Sequence, residues 1–506
     1  MLGIHITKGE KMILKVLTVS VLCLGLSSLS AATLKEIVGD VLENNPVIKE
    51  RLKNYNATRE EVNIAGAGYY PTLDLKSAAG KKYTNRFNDD GVEKTYDVFQ
   101  SSLVLRQNIF NGFSTHEQVN YQKMRTLAAA FSYLEKANDV TLQTIKVYLD
   151  LLRQKELLRN SRINVEHNTK IYKKVSKAYK AGLTTLSEVS KIRSSLSLAK
   201  SNMMVQQNRL QNAMFNFRRV TGHMLTLKDL TRPNFSLKLP KSQEQATMYA
   251  LEYNPSLLVG KYNIKGAEAL YRESKSSFMP SVDLELSENY NKNYDVMTDD
   301  RYDDRFQAMV VVSYNLFNGG ADEATRRSKL SKLSQEVEVV NDLRRQVVEG
   351  IDLSWSAYEL AKEQIPFLSN YRKQSAETLK LYTKEYEMGE RSLLDLLATE
   401  NDLKRANDEL INARFNLLLS KYRILDAMGL TMASIMGNVE RYYNKVGIHG
   451  TKGISGRDTL PVGMDTDDDG VAASKDVCAQ SKKSGEEMPF GCTKGYQSLR
   501  SVKLGR

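Results

Sequence analysis

The second half of the chain rewrites the first. Asn108-Ile109-Phe110-Asn111-Gly112 recurs as Asn315-Leu316-Phe317-Asn318-Gly319, 207 positions on, and the same step carries Tyr179 and Gly182 to Tyr386 and Gly389, and Gly222 to Gly429. Upstream the step is 209, taking Asn45-Pro46 to Asn254-Pro255 and Pro71 to Pro280. The two-residue difference falls between the proline and the Asn-aromatic-Asn-Gly motif of each copy, which marks that stretch as a loop between matched elements. Solenoid repeats have periods of only about 20–50 residues, so this chain is a duplicated half rather than an array.

Each half shows the same order of elements. A helical stretch, Leu34 to about Gly68 and again Gln243 to Ser277, ends at a proline that starts something extended. Two strands follow. Val282, Leu284 and Leu286 alternate with Asp283, Glu285 and Ser287, and Phe306, Ala308, Val310, Val312 and Tyr314 alternate with Gln307, Met309, Val311 and Ser313. The first half carries a weaker version in Leu73 and Leu75, then Phe99, Ser101, Leu103 and Leu105. Period two with one apolar face is what a lipid-facing barrel strand requires, because neighbouring residues point alternately to lipid and to the lumen. The polar tips Arg86 to Thr95 and Asn291 to Asp304 suit loops outside a membrane. Two hairpins make four strands, too few to close a barrel, and open edges are not tolerated in lipid, so several chains must contribute to one barrel.

After each second strand a helix is expected from about Ser114 to Ala181 and from about Ala321 to Met388, with a kink or short break at Pro366. The return helices carry a heptad seam. Val189, Leu196, Met203, Leu210 and Phe217 fall seven apart, with Ile192, Ala199, Gln206, Ala213 and Val220 three further on. The second copy repeats the seam in Leu396, Leu403, Leu410, Leu417 and Ile424, with Thr399, Ala406, Ala413, Ser420 and Ala427.

Composition narrows the class. Among 506 residues 41% are hydrophobic, 26% charged and only nine are proline, which fits long solvated helices better than a bundle of membrane helices. Past the first thirty-odd residues no uninterrupted apolar run approaches the roughly 18 needed to span a bilayer as a helix. Residues 1–32 read as a signal peptide, with Lys11 and Lys15 before an apolar core and Ser30, Ala31 and Ala32 at the cleavage site; Leu22 before Cys23 is too large for a lipid-anchor motif. Its removal lowers the formal net charge from +12 to +10. An exported chain without a Lys/Arg block interleaved with aromatics is not a nucleic-acid binder. Cys478 and Cys492 remain, and in an oxidising compartment they read as one disulfide closing a short loop.

Taken together, these features resemble the TolC-like outer-membrane efflux and secretion channel family, from Leu34 to about Leu430. The resemblance rests on Asn45-Pro46, on Pro71, on the motifs at 108–112 and 315–319, on Tyr386-Glu387-Met388-Gly389 and on Asn412-Ala413-Arg414-Phe415. It implies a mainly α fold with a membrane β-barrel portion: a duplicated half-subunit whose coiled-coil hairpins form an α-barrel and whose four strands join a trimeric, twelve-stranded barrel. The organisation expected is a first repeat over 33–222 (strand hairpin 71–112, helical hairpin 114–222), a linker over 223–242, a second repeat over 243–430 (strand hairpin 280–319, helical hairpin 321–430) and a tail over 431–506. The implied function is a passive, gated outer-membrane conduit of a tripartite efflux or type I secretion system. Its partners would be two further copies of itself, outer-membrane lipid, a periplasmic adaptor, and an inner-membrane pump of the RND or ABC type. By position, Tyr386, Arg391 and Asp395 take family gate positions on the second hairpin and Glu188 an acidic position on the first. Ala398 stands where a second entrance aspartate belongs, a departure that bears against strong cation selectivity.

In the tail, Asp465, Asp467 and Asp469 occupy positions 1, 3 and 5 of a calcium loop over 465–476, with Gly470 at 6 and Asp476 at 12, and the stretch resembles thrombospondin type 3 linkers. The alternative is an acidic tail closed by a disulfide. No cofactor is expected elsewhere, and scattered histidines without a hydrolase, zincin or phosphate-loop motif argue against an enzyme. A periplasmic adaptor also uses coiled-coil hairpins, but carries one hairpin between Gly- and Val-rich β domains; a structural envelope protein anchored through the tail is the third reading.

Overall fold

The computed structural model describes residues 33–85, 93–223, 230–235, 237–292 and 302–449, with the backbone of 487–488 and 492–493. The Asp465–Asp476 loop and the Cys478–Cys492 pair lie outside the described side chains.

The stretch read as one helix in each copy is two. Helix α1 (Leu34–Asn44) opens with a reciprocal cap, Thr33 N–H on Glu36 Oε2 at 3.0 Å and Glu36 N–H on Thr33 Oγ1 at 3.3 Å. It stops at Asn45, which is extended (φ −63°, ψ 126°) and accepts the Val47 N–H at 2.9 Å as the cap of α2 (Pro46–Gly66). Proline disfavours helical backbone in the residue before it and is well suited to the first helical position. The break therefore recurs. Asn254 (φ −63°, ψ 125°) accepts the Ser256 N–H at 2.9 Å and separates α5 (Gln243–Tyr253) from α6 (Pro255–Glu273).

Strands β1 (Thr72–Asn85), β2 (Glu93–Asn111), β3 (Ser281–Lys292) and β4 (Tyr302–Ser313) form one antiparallel sheet in the order β1-β2-β3-β4, so the two hairpins join through β2 and β3. Leu75 faces Leu103, Leu105 faces Leu286, and Leu286 faces Ala308, which lays an apolar band across all four strands. The other face is polar and concave, lined by residues that include Lys76, Ser102, Asn289, Arg305 and Gln307. Near the β2–β3 bulge, Arg106 donates to Glu285 Oε2 at 3.2 Å and Asn108 Nδ2 to Asp283 Oδ1 at 2.8 Å. Asn108–Asn111 belong to β2, whereas the matching Asn315–Asn318 lie beyond the end of β4, because β3 supplies partners only as far as Ser313.

The long helices α3 (Ser114–Lys180) and α7 (Ala321–Glu387) have 67 residues each, about 100 Å at the usual rise. The helix α7 runs without interruption through Pro366, so the break expected there is absent: the proline removes one amide donor, toward Lys362, from a ladder otherwise continuous on both sides. Each long helix ends in the same reversal. Leu183 N–H bonds the Ala178 carbonyl and Gly182 N–H that of Tyr179, both at 2.9 Å; Glu390 and Gly389 repeat this on Glu385 and Tyr386 at 2.9 and 3.1 Å. This Schellman geometry needs a left-handed residue, supplied by Gly182 (φ 72°) and Gly389 (φ 80°). Return helices α4 (Leu186–Thr221) and α8 (Leu393–Ala427) follow. Among the described residues no helix is long and apolar enough to cross a membrane.

The fold divides into two compact units. One holds Thr144–Phe235 and Tyr371–Asn412 together with residues 33–40. In it the seam of α4 is buried at every heptad position except the half-buried Met203, and Gln206 is satisfied there by Gln154 Oε1 at 2.7 Å. The other holds Val41–Gln143, Ser236–Asn370 and residues 413–449, including the sheet. Here α9 (Thr431–Met436) and α10 (Glu440–Asn444) are tied back to earlier chain: Met432 N–H donates to Asn138 Oδ1 at 2.8 Å, and Glu43 pairs with Lys445 at 2.6 Å and Arg441 at 3.4 Å.

Candidate channel entrance

Both helical reversals lie in the unit that contains the four residues singled out from the sequence. An apolar cluster, Val175 of α3, Val189 and Ile192 of α4, and Leu393 and Leu397 of α8, joins the two hairpins beside their turns. Ile171, Tyr172 and Tyr386 pack against it. Burial raises the Tyr386 hydroxyl above the usual phenol range and the charge of Glu188 raises it further, so these two residues, from different hairpins, share one neighbourhood. Glu188 itself accepts a hydrogen bond from the Thr184 hydroxyl on its own turn.

Arg391 reaches back across the second turn. Its Nε donates to Glu385 Oε2 at 2.9 Å and a second guanidinium nitrogen lies 2.8 Å from the same oxygen, while the plane sits 4.2 Å over the Tyr382 ring. Hydrogen bonding to Glu385 is the main cause of its raised pKa, with smaller contributions from Tyr382 and the charges of Glu385 and Asp395. Asp395 has local work: its carboxylate accepts the Ser392 hydroxyl at 2.8 Å, and Ser392 Oγ accepts the Asp395 N–H at 3.2 Å, a closed cap on α8. The chain thus brings Glu188 and Tyr386 together, gives Arg391 an acid not singled out from the sequence, and commits Asp395 to a helix end. Ala398, one turn further, is exposed.

Two contacts escaped the sequence reading. Glu385 stands six residues before Arg391, and only the sharp Gly389 reversal brings them together. Lys174 pairs with Glu387 from the other hairpin, 213 residues away, and no spacing rule reaches that far. The pieces amount to a packed apolar joint between two helical hairpins, ringed by half-exposed ionic contacts.

The family model "Outer membrane efflux protein" matches residues 37–223 and 248–430, one block in each copy of the repeat. The outer membrane protein TolC of Escherichia coli K12 is 23% identical over 418 residues, covering 80% of this chain and 84% of its own. The outer membrane efflux protein BepC of Brucella suis is 23% identical over 403 residues, covering 78% and 85%. Among solved structures, the CmeC outer membrane channel of Campylobacter jejuni superimposes with a TM-score of 0.70 at 14% identity, over 82% of this chain and 90% of that one.

Proposed function

The chain belongs to the outer membrane efflux protein family, and on that footing we propose that it works as the trimeric, gated exit duct of a tripartite exporter. It is an outer-membrane channel of the efflux and secretion type. The observation that carries the proposal is the sheet: four strands with one apolar face, bounded by β1 on one side and β4 on the other. Sheet edges are excluded from lipid, and three such chains supply twelve strands, enough to close a barrel. A second feature supports association. Leu353, Leu360 and Phe367 of α7 stand seven apart and are 65, 66 and 76% exposed in the single chain, a heptad row that suits a second copy. Edge strands β1 and β4 have opposite directions in the meander, so β4 of one copy meets β1 of the next as an antiparallel pair.

At the periplasmic end the entrance acts as the gate, and Arg391 holds it by tying the start of α8 to Glu385 and Tyr382 of α7. Energy and cargo choice come from an inner-membrane pump, of the RND or ABC class, joined through a periplasmic adaptor; this chain supplies the conduit. Glu188, Tyr386 and Asp395 line the approach to the gate. The tail loop, with Asp465, Asp467, Asp469 and Asp476, is assigned to calcium on its ligand pattern alone, and Cys478 with Cys492 to a disulfide.

Conductance of the purified protein in planar bilayers tests this reading. Arg391→Gln is expected to raise single-channel conductance several-fold over the native protein. If trimers with Arg391 and Asp395 both neutralised carry no current, the gated-channel reading fails.

A further inference from the structure

Further from the turns than the apolar joint, the contact between α3 and α8 changes character. Asn160, Asn164 and Asn168 are spaced four apart on α3, and Glu400, Lys404 and Asp408 four apart on α8, so that each set forms a row along one face. The rows meet in antiparallel order. Asn160 Nδ2 donates to Asp408 Oδ1 at 2.7 Å and to the Lys404 carbonyl at 3.1 Å, and Asn164 Nδ2 donates to Glu400 Oε1 at 3.3 Å. Asn168 turns to the other return helix, accepting the Ser195 hydroxyl at 2.9 Å.

Glu400 is the anomaly. It lies one heptad after the buried Leu393, where an apolar residue would continue the packing, and it is 4% exposed. A carboxylate so far from water is tolerated only when its oxygens are met by donors, and an apolar residue of similar size would hold the two helices at least as well. The second donor is His167, whose Nδ1 lies 3.0 Å from Oε1 and 3.2 Å from Oε2, while its side chain keeps 37% of its surface in water and so exchanges protons freely. Among the described residues, the charged groups facing this imidazole are Glu400 across the joint and Glu166 and Lys170 on its own helix. The α4 helix meets this stretch through the neutral Ser195.

We propose that His167 and Glu400 form an acid-strengthened clasp between the first hairpin and the return helix of the second, which holds the entrance wall closed more firmly as the surrounding pH falls. A neutral imidazole gives Glu400 one ordinary hydrogen bond, whereas an imidazolium gives a charge-assisted one to a carboxylate that has little other solvation. The imidazole pKa is raised above its ordinary value, chiefly by the bond to Glu400 and then by the Glu400 charge, against the effects of burial and Lys170. A raised histidine contributes stability that is complete below its unfolded pKa and is lost as pH rises through the folded one, so the clasp loosens toward alkaline pH. The adjoining rung, Asn160 with Asp408, joins the same two helices without a histidine.

The effect on opening rests on the channel reading above; the clasp itself does not, and two measurements separate them. In planar bilayers the native protein should lose open time between about pH 8 and about pH 5.5, with a midpoint above the ordinary histidine value near 6.5, well clear of carboxylate titration. His167→Gln, which keeps a hydrogen-bond donor, should lose that component and stay flat across the window; Glu400→Gln should do the same. Thermal unfolding of the same three proteins supplies the second readout: the native midpoint should exceed that of His167→Gln in acid, and the gap should close at alkaline pH. A native pH profile retained in His167→Gln, or an unfolding gap equal at both ends of the range, overturns the clasp. Should no variant conduct at all, the channel reading falls while the unfolding comparison still decides whether the clasp exists.

Discussion

Asn254 performs two jobs at the break between α5 and α6. Its Oδ1 caps α6 on the Ser256 N–H, and its Nδ2 reaches the Ala427 carbonyl at 2.8 Å, the last residue of α8. Removing a cap costs about 1 kcal/mol, and stranding a buried carbonyl adds about 1–2 kcal/mol. Asn254→Ala should therefore lower unfolding stability by about 2–3 kcal/mol in denaturant titration. At the entrance, Ala398 is exposed and carries no packing, so Ala398→Asp should leave the unfolding midpoint within the small range typical of surface changes while shifting the zero-current potential toward cations. If that substitution leaves selectivity where it was, position 398 does not face the ion path. The local motif Asn-Pro was visible in both copies, yet the helical periodicity ran across it and hid the break; the ψ angles of 126° and 125° show that the local rule won.

At the scale of elements, the patterns that depend on neighbours in sequence were the legible ones. Alternation gave the apolar band of the sheet, and the heptads gave the buried row of α4 and most of that of α8, where Ala406 is 0% and Ala413 5% exposed. What they could not give is partnership across the fold. Arg391 finds Glu385 through a turn, Lys174 finds Glu387, and His167 finds Glu400 only once two hairpins have been brought side by side. Pro366 differs: the helix continues through it, so the short break expected there does not form. The small row of the seam admits a direct check. Ala406→Leu forces about three extra carbons into a filled joint and should destabilise by about 1–3 kcal/mol, read as a lower unfolding midpoint with unchanged strand content.

For the whole molecule, the exposed heptad row on α7 and the two sheet edges ask for the same thing, another copy. Leu360→Glu places a charge in that row without touching the core of the single chain, because the side chain is already 66% exposed there. The expected outcome is helical content equal to the native protein by circular dichroism, with trimers lost in native mass measurement. A trimer that survives Leu360→Glu together with Phe367→Glu would move the association surface elsewhere. In the proposed trimer the duplication would leave little to assemble: the β2–β3 joint is made within the chain, and the β4-to-β1 joint would be made between chains.

Those two edges also have a consequence in genetics. In the proposed ring each joint takes one edge of each kind, so a subunit damaged only along β4 would still present an intact β1 to its neighbour. Such a subunit would be accepted into the ring and then fail to close it. When damaged and native copies are made in equal amounts and mix freely, only about one ring of three in eight is wholly native. An allele of this kind should therefore behave as dominant, weakening export in cells that still carry a good gene, whereas an allele that unfolds the chain outright should be recessive.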